Sequence, residues 1–350
     1  MRTLSKREIE AYCGDYSQLL GVREVVFQEG KAKGTRAYEI KNGRDLQMTI
    51  LADKCFAIPE MTFQGINAGF ICKTGICGPE FYQEEGTRGF LRNFEAGFLT
   101  TCGLTYMGTP GEENGQKNGL HGPVSNTPME HVSSHVEWKD DMAWITVTGQ
   151  AREGHLFGPN MVIQKKITLN NMENKIWISD VVTNQDFEPA PLMLLYHFNM
   201  GYPMLDESCR IYTDFDQIET RDEASKKGLD TCTTFQKPMD GYEEEVFFRT
   251  MSDKERDEAY VLIHNQNLDM GVLIRFNPQV LPVLNQWSSP RSGDYALGIE
   301  PGTCHVGGRI RAREEGRLLF LEPNESRKFE LEIEFIDHLT TNEKYCTFIK

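Results

Sequence analysis

The sequence predicts an all-β protein, a large antiparallel β-sandwich. Three observations carry that expectation. From about residue 22 the apolar residues recur with period two, most clearly in Lys328–Phe335, where Phe329, Leu331, Ile333 and Phe335 alternate with charged residues. Such segments are rich in β-branched and aromatic residues and are separated by polar turn clusters. No regular alternation of strand and helix patterns occurs, which excludes a parallel α/β sheet.

Residues 1–21 read as an N-terminal extension and 22–340 as one sandwich domain. Within the extension, residues 4–21 have helical character. Ser5 is placed to cap and Glu8 follows three residues later, while Leu4, Ile9, Tyr12 and Leu19 can dock on the main body. It serves as a packing extension or an oligomer contact, compatible with a homodimer. Strands are expected at residues 144–148, 175–179, 259–263, 271–276 and 328–335. Turns fall at Lys139–Asp141, Asn170–Asn171, Asn184–Asp186, Asn265–Asn267 and Glu322–Asn324. Two stretches break the rhythm and are expected as long loops. Residues 105–118 are rich in Gly, Pro and Asn, and residues 214–258 are strongly charged.

Lys and Arg total 37 against 52 Asp and Glu, so the net charge is 37 − 52 = −15. So acidic a chain is a poor partner for nucleic acid, whose binding needs Lys and Arg against phosphate, and for anionic membranes. A neutral sugar is not opposed. The nine cysteines are scattered without a Cys-x-x-Cys pair, which fits reduced thiols in a cytoplasmic protein. The first residues lack the apolar stretch of a signal peptide, and no run of about 18 apolar residues would span a membrane. His131 and His135 have a spacing that can bind zinc, but no third ligand lies nearby in sequence. No nucleotide-binding glycine motif or serine-nucleophile motif is present. Neither a metal nor a cofactor is expected.

Three distant stretches place acid–base residues in unusual settings: Asn118–Gly122, Tyr196–Asn199 and Gly298–Gly302. They contribute His121, His197 and Glu300. Two imidazoles and a carboxylate suffice to take a proton from one oxygen of a polyol and give one to another. His197 follows the apolar run Leu192–Tyr196, so it is partly desolvated. Glu300 lies in Gly-Ile-Glu-Pro-Gly, which reads as a turn at a strand end. Each also has a plainer reading, a core histidine bonded to backbone or a surface turn carboxylate.

The order and dress of the stretches resemble the aldose 1-epimerase (galactose mutarotase-like) superfamily over roughly residues 35–336. That superfamily has an Asn-x-Leu-His-Gly segment in its first half, a histidine and asparagine segment near its middle and a late glutamate. Here these correspond to Asn118–Gly122, His197 to Asn199, and Glu300. The Leu99–Leu104 and Gln286–Trp287 segments place the sequence closest to an outlying branch with poorly defined substrates. The resemblance implies a galactose mutarotase-like supersandwich and a small-molecule sugar or sugar derivative as ligand. It further implies Glu300 as catalytic base, His197 as catalytic acid, and His121 contacting the sugar.

Other substrate-binding candidates have looser placement. Arg92 lies where the superfamily has a sugar-binding arginine, although Arg88 competes for the role and either can be a surface ion-pair former. Asp240 and Glu245 are candidates for a carboxylate that accepts from sugar hydroxyls, within an acidic run that otherwise reads as solvated. Trp287 offers a stacking platform or core packing, and Gln286 a hydrogen bond to the sugar. The expected function is interconversion of sugar anomers by acid–base ring opening. The alternatives are a non-catalytic carbohydrate-binding or sensor protein, or an epimerase or lyase of different outcome on the same fold.

Overall fold

The computed structural model describes residues 5–113 and 115–349. Two large antiparallel sheets form the body. From one edge, the larger runs Leu20–Val26, Arg36–Asn42, Leu46–Leu51, Ala57–Phe63, Leu99–Leu104, Ala190–Met200, Asp294–Gly302, Val283–Arg291, Glu245–Thr250 and Gln217–Thr220, with two short strands paired off this path. The smaller has eight strands: Glu130–Lys139, Met142–Gly154, Asn160–Asn170, Lys175–Asn184, Ser326–Asp337, Met270–Phe276, Ala259–Asn265 and Cys209–Thr213. Each strand predicted by alternation lies inside one of these. Apolar residues from both sheets meet in one continuous core, including Ile50, Phe63, Ile145, Ile178, Tyr196, Ile274, Ile299 and Phe335.

The extension behaves as a packing element. Its helix, Lys6–Tyr12, has the predicted capping box between Ser5 and Glu8. Ile9 is buried but Tyr12 is largely exposed, and Leu4 lies outside the described residues. The Lys6 amide donates to Asp141, and Tyr16 meets the edge of Trp138, so the leader fastens onto the hairpin of Glu130–Lys139 and Met142–Gly154. The first strand then begins at Leu20.

The two stretches expected as loops contain more structure than composition suggested. Residues 105–118 include a strand pair, Gly111–Glu113 with Gln116–Asn118. Residues 214–258 hold two strands, Gln217–Thr220 and Glu245–Thr250, and a short helix at Glu223–Lys227 capped by Asp222. Charged residues hid these strands: Gln217–Thr220 packs only one face, while Glu245–Thr250 is buried along most of its length with Glu245 and Arg249 held by polar partners.

A buried polar group stitches the sheets together. Lys165 and Asp180 are cross-strand partners in the smaller sheet, both fully buried, with Nζ 2.5 Å from the carboxylate. Facing them are Thr101 and Tyr196, cross-strand partners in the larger sheet. Lys165 also donates to the Thr101 hydroxyl at 3.1 Å, and the Tyr196 hydroxyl donates to Asp180 at 2.8 Å. Removing one member strands a desolvated charge. Lys165→Met is therefore expected to lower unfolding free energy by about 3–5 kcal/mol in chemical denaturation. A loss below about 1 kcal/mol, the range of exposed pairs, would show that the group is not a buried ion pair in solution.

Candidate functional site

Alternation along Ala190–Met200 places the site. Leu192, Leu194, Tyr196, Phe198 and Met200 belong to the core between the sheets. Met193 and Leu195 belong to a separate small cluster with Phe90, Cys102, Met107, Cys304 and Ala312, on the sheet's other face. By parity His197 and Asn199 share that second face. On Asp294–Gly302, Leu297 and Ile299 enter the core, so Glu300 also faces outward.

Glu300 is not at a turn, as its Gly-Ile-Glu-Pro-Gly setting suggested. It lies inside the strand, paired with Asn285, and Pro301 pairs with Leu284. The pairing with Ala190–Met200 runs through Phe198 and Ile299 and resumes at Leu195 and Gly302. The gap coincides with Pro301, which has no N–H to give the ladder. His197 and Glu300 lie opposite each other within this gap, with Nε2 3.3 Å from Oε1, and both are buried. Gly298 gives the carboxylate room, because a Cβ there would lie 2.5 Å from Oε1 of Glu300 and 2.9 Å from Cβ of Trp287.

His121 arrives from a loop. Its φ is +59°, and its backbone is held on both sides, the amide donating to Gly108 and the carbonyl accepting from Gly103. Gly122 follows at φ +70°, where a Cβ would strike the carbonyl oxygens of Tyr106 and Gly103. The His121 ring sits 5.6 Å from that of His197, edge to face. Phe90 and Phe94 stack on each other and contact His121 and His197 respectively. Trp287 closes another side, 6.0 Å from His197. Nδ1 of His121, Nδ1 of His197 and Oδ1 of Asn199 are buried with no protein partner. Such a concentration of unmet polar atoms is what a ligand-binding face presents.

Burial dominates the electrostatics. It lowers His121 to about 4 and pushes His197 well below the ordinary histidine value, with His121 adding to the effect. Burial also raises Glu300 well above the carboxylate range, assisted by Glu244 and opposed by Arg221. Against this, the contact between His197 and Glu300 favours a proton held between them. The directions to expect are therefore an imidazole reluctant to become a lone cation and a carboxyl reluctant to become a lone anion.

The structure brings His121, His197, Glu300 and Trp287 together, but not the other sequence candidates. Gln286 points to the opposite face from Trp287, where it accepts from Arg249 and donates to the Cys232 carbonyl. Glu245 is likewise on that opposite face, paired with Ser288 and bonded to the Tyr242 hydroxyl. Asp240 is exposed in a loop. Arg92 follows the short helix Gly86–Leu91, half exposed and paired with Glu85 at 3.2 Å. Arg88 is exposed too. The carboxylate at the site rim is instead Glu244, which accepts from the Trp287 indole at 2.8 Å and from Arg221 at 3.0 Å. Parity finds it: Val246 pairs with Trp287, so Glu244 shares their face and Glu245 does not. His131 and His135 are exposed on Glu130–Lys139. Among the described residues no three His, Cys, Asp or Glu side chains gather as a metal cage.

Known structures give this architecture a class. A crystal structure of a putative aldose 1-epimerase from Klebsiella pneumoniae subsp. pneumoniae matches 94% of this chain and 88% of its own, at 25% identity and a TM-score of 0.87. A galactose mutarotase-like protein from Clostridium acetobutylicum matches 91% and 99% at 13% identity, with a TM-score of 0.64. A galactose 1-epimerase from Lactobacillus acidophilus matches 91% and 99% at 12% identity, with a TM-score of 0.57. The fold is the galactose mutarotase-like sandwich that the sequence predicted. Within it, the chain belongs to the family described as a domain of unknown function, DUF4432, which matches residues 32–335. No curated protein matches the sequence.

Burying Glu300 has a consequence for stability. Its folded value is raised, so its favourable contribution is complete below the ordinary carboxylate range and is lost as pH rises through that raised value. Glu300→Gln is therefore expected to unfold at a higher temperature than the wild type near neutral pH, with the difference shrinking towards pH 4. Thermal unfolding across that range checks it, and equal melting temperatures throughout would contradict the raised value.

Proposed function

We propose that the chain interconverts the anomers of a small sugar, with Glu300 as base and His197 as acid. The reading rests on one observation, the buried contact of His197 Nε2 with Glu300 Oε1 at 3.3 Å. In a cyclic sugar the anomeric hydroxyl oxygen and the ring oxygen are bonded to the same carbon. A donor and an acceptor one hydrogen bond apart can address both at once.

In the reaction, Glu300 takes the proton of the anomeric hydroxyl while His197 gives its Nε2 proton to the ring oxygen. The bond from the anomeric carbon to the ring oxygen breaks and a carbonyl forms. Rotation about the adjacent carbon–carbon bond presents the other carbonyl face. The new ring hydroxyl then returns its proton to His197, and Glu300 returns its own to the anomeric oxygen. Every proton is accounted for, and the pair ends as it began. Trp287 supplies an apolar platform for the sugar's C–H face. His121, held by its loop, orients a sugar oxygen, and Glu244 with Arg221 meets outer hydroxyls. The nine cysteines are free, and six of them are buried, which supports a cytoplasmic setting for this chemistry.

Exchange NMR on a panel of aldoses, ketoses and sugar phosphates tests the reading. Wild type should accelerate anomer exchange, with Glu300→Gln and His197→Asn each reducing kcat by about 100- to 10,000-fold. Binding without acceleration on any sugar would mean a binding protein instead. The working pair carries one shared proton, and burial resists both gaining a second and losing the first. The pH profile of kcat/KM is thus expected to be a broad plateau across neutrality, its acid limb lying below the ordinary histidine value of about 6.5. A limb at or above that value would refute the arrangement.

A further inference from the structure

We propose that Asn199 is a positioning residue, its side-chain oxygen holding a proton on Nδ1 of His197 so that Nε2 alone deals with Glu300 and the sugar. Both residues stand on the site face of Ala190–Met200, two positions apart, and both are buried. The nitrogen of the Asn199 amide decides which way the side chain points. Nδ2 donates to the carbonyl of His197 at 3.0 Å and to that of Ala96 at 3.3 Å. A flipped amide would set Oδ1 against two carbonyl oxygens, which have no proton to give it. Ala96 is itself held at φ +63°, and its carbonyl also accepts from the Thr100 hydroxyl at 2.8 Å. Thr100 is in turn the cross-strand partner of His197. Oδ1 of Asn199 is therefore an acceptor fixed beside the imidazole.

That oxygen and Nδ1 of His197 are both buried without a partner. Each is what the other lacks, provided Nδ1 carries a hydrogen, because an amide oxygen accepts and does not donate. The amide acts on the ring in that sense: burial and His121 oppose the charged imidazole, and Asn199 favours it. Nε2 is committed elsewhere, 3.3 Å from Oε1 of Glu300. Phe94 and Trp287 present aromatic rings to the imidazole. Nδ1 of His121 is then the unmet atom left to the ligand. The consequence for catalysis rests on the acid–base reading above. If Nε2 held the only proton of His197, giving it to the ring oxygen would leave an imidazolate, an anion that a buried site strongly disfavours. With Nδ1 protonated, the same step takes an imidazolium to a neutral imidazole while Glu300 goes from carboxylate to carboxyl, and the protons balance.

The tautomer is read without any sugar. Long-range proton–nitrogen correlation NMR near neutral pH, on protein with isotopically labelled histidine, should show Nδ1 of His197 protonated. The resonance is assigned by its absence from His197→Asn. An unprotonated Nδ1 in the wild type would overturn the proposal, whatever the protein does to sugars. Asn199→Leu should move the Nδ1 resonance towards the unprotonated position and lower kcat for anomer exchange about 10- to 100-fold, with KM little changed. A substitution that merely loosened the fold would not change the tautomer, so an Nδ1 signal unaltered in folded Asn199→Leu would also overturn it. Should that variant fail to fold, the wild-type spectrum alone decides. A protonated Nδ1 that depends on Asn199, in a protein that exchanges no anomers, would uphold the role of Asn199 and sink the sugar reaction.

Discussion

The Tyr196 hydroxyl must reach Asp180, and much else follows from that one hydrogen bond. Asp180 is fully buried beside Lys165, so the tyrosine that completes the pair's surroundings cannot turn away without leaving a desolvated oxygen behind. With Tyr196 committed to the space between the sheets, His197 has no choice but the opposite face. A one-residue slip of the strand would bury the imidazole in the core and lift the phenol to the site. Thr101, the register partner of Tyr196, fixes the neighbouring strand in the same sense.

Much of this was legible in the residues. The period of two in Phe329–Phe335 and the β-branched runs gave the sandwich, because a sheet packed on one side leaves that imprint. His197 and Glu300 could be singled out because each sits among residues that make its placement odd, an apolar run or a Gly-Pro frame. What could not be read was facing. Gln286 and Trp287 are neighbours in sequence but back opposite sides of one strand, and Glu244 and Glu245 differ in the same way. Only the cross-strand pairing shows which of each two meets the site. Phe90 and Phe94 were missed for a different reason. They come from a helix and its following loop, brought beside the histidines by tertiary packing with no local signal.

The surroundings of Glu300 show how a sheet makes space for a charged group. Gly298 removes a side chain beneath the carboxylate, Pro301 removes a ladder donor beside it, and Asn285 ties the strand by donating to the carbonyls of Glu300 and Cys304. None of the three residues carries acid–base chemistry. Gly298 gives up packing and Pro301 a hydrogen bond that an ordinary central strand would keep, whereas the Asn285 side chain adds hydrogen bonds, its Oδ1 also accepting from the Val306 amide.

Surface charge reaches the site through Glu244 and Arg221, which act on Glu300 with opposite sign. Under the proposed reaction Glu300 takes a proton from the sugar as His197 gives one to it, so the combined charge of the buried pair never changes from one step to the next. Beyond those two rim residues an acidic exterior therefore has little to act on there. Under that reaction, surface charges away from Glu244 and Arg221 can change without disturbing the balance of protons in the inner pair. The chain's exterior charge is thus under far looser constraint than the few positions, Gly298 and Pro301 among them, that hold the carboxylate and the imidazole in reach of one another.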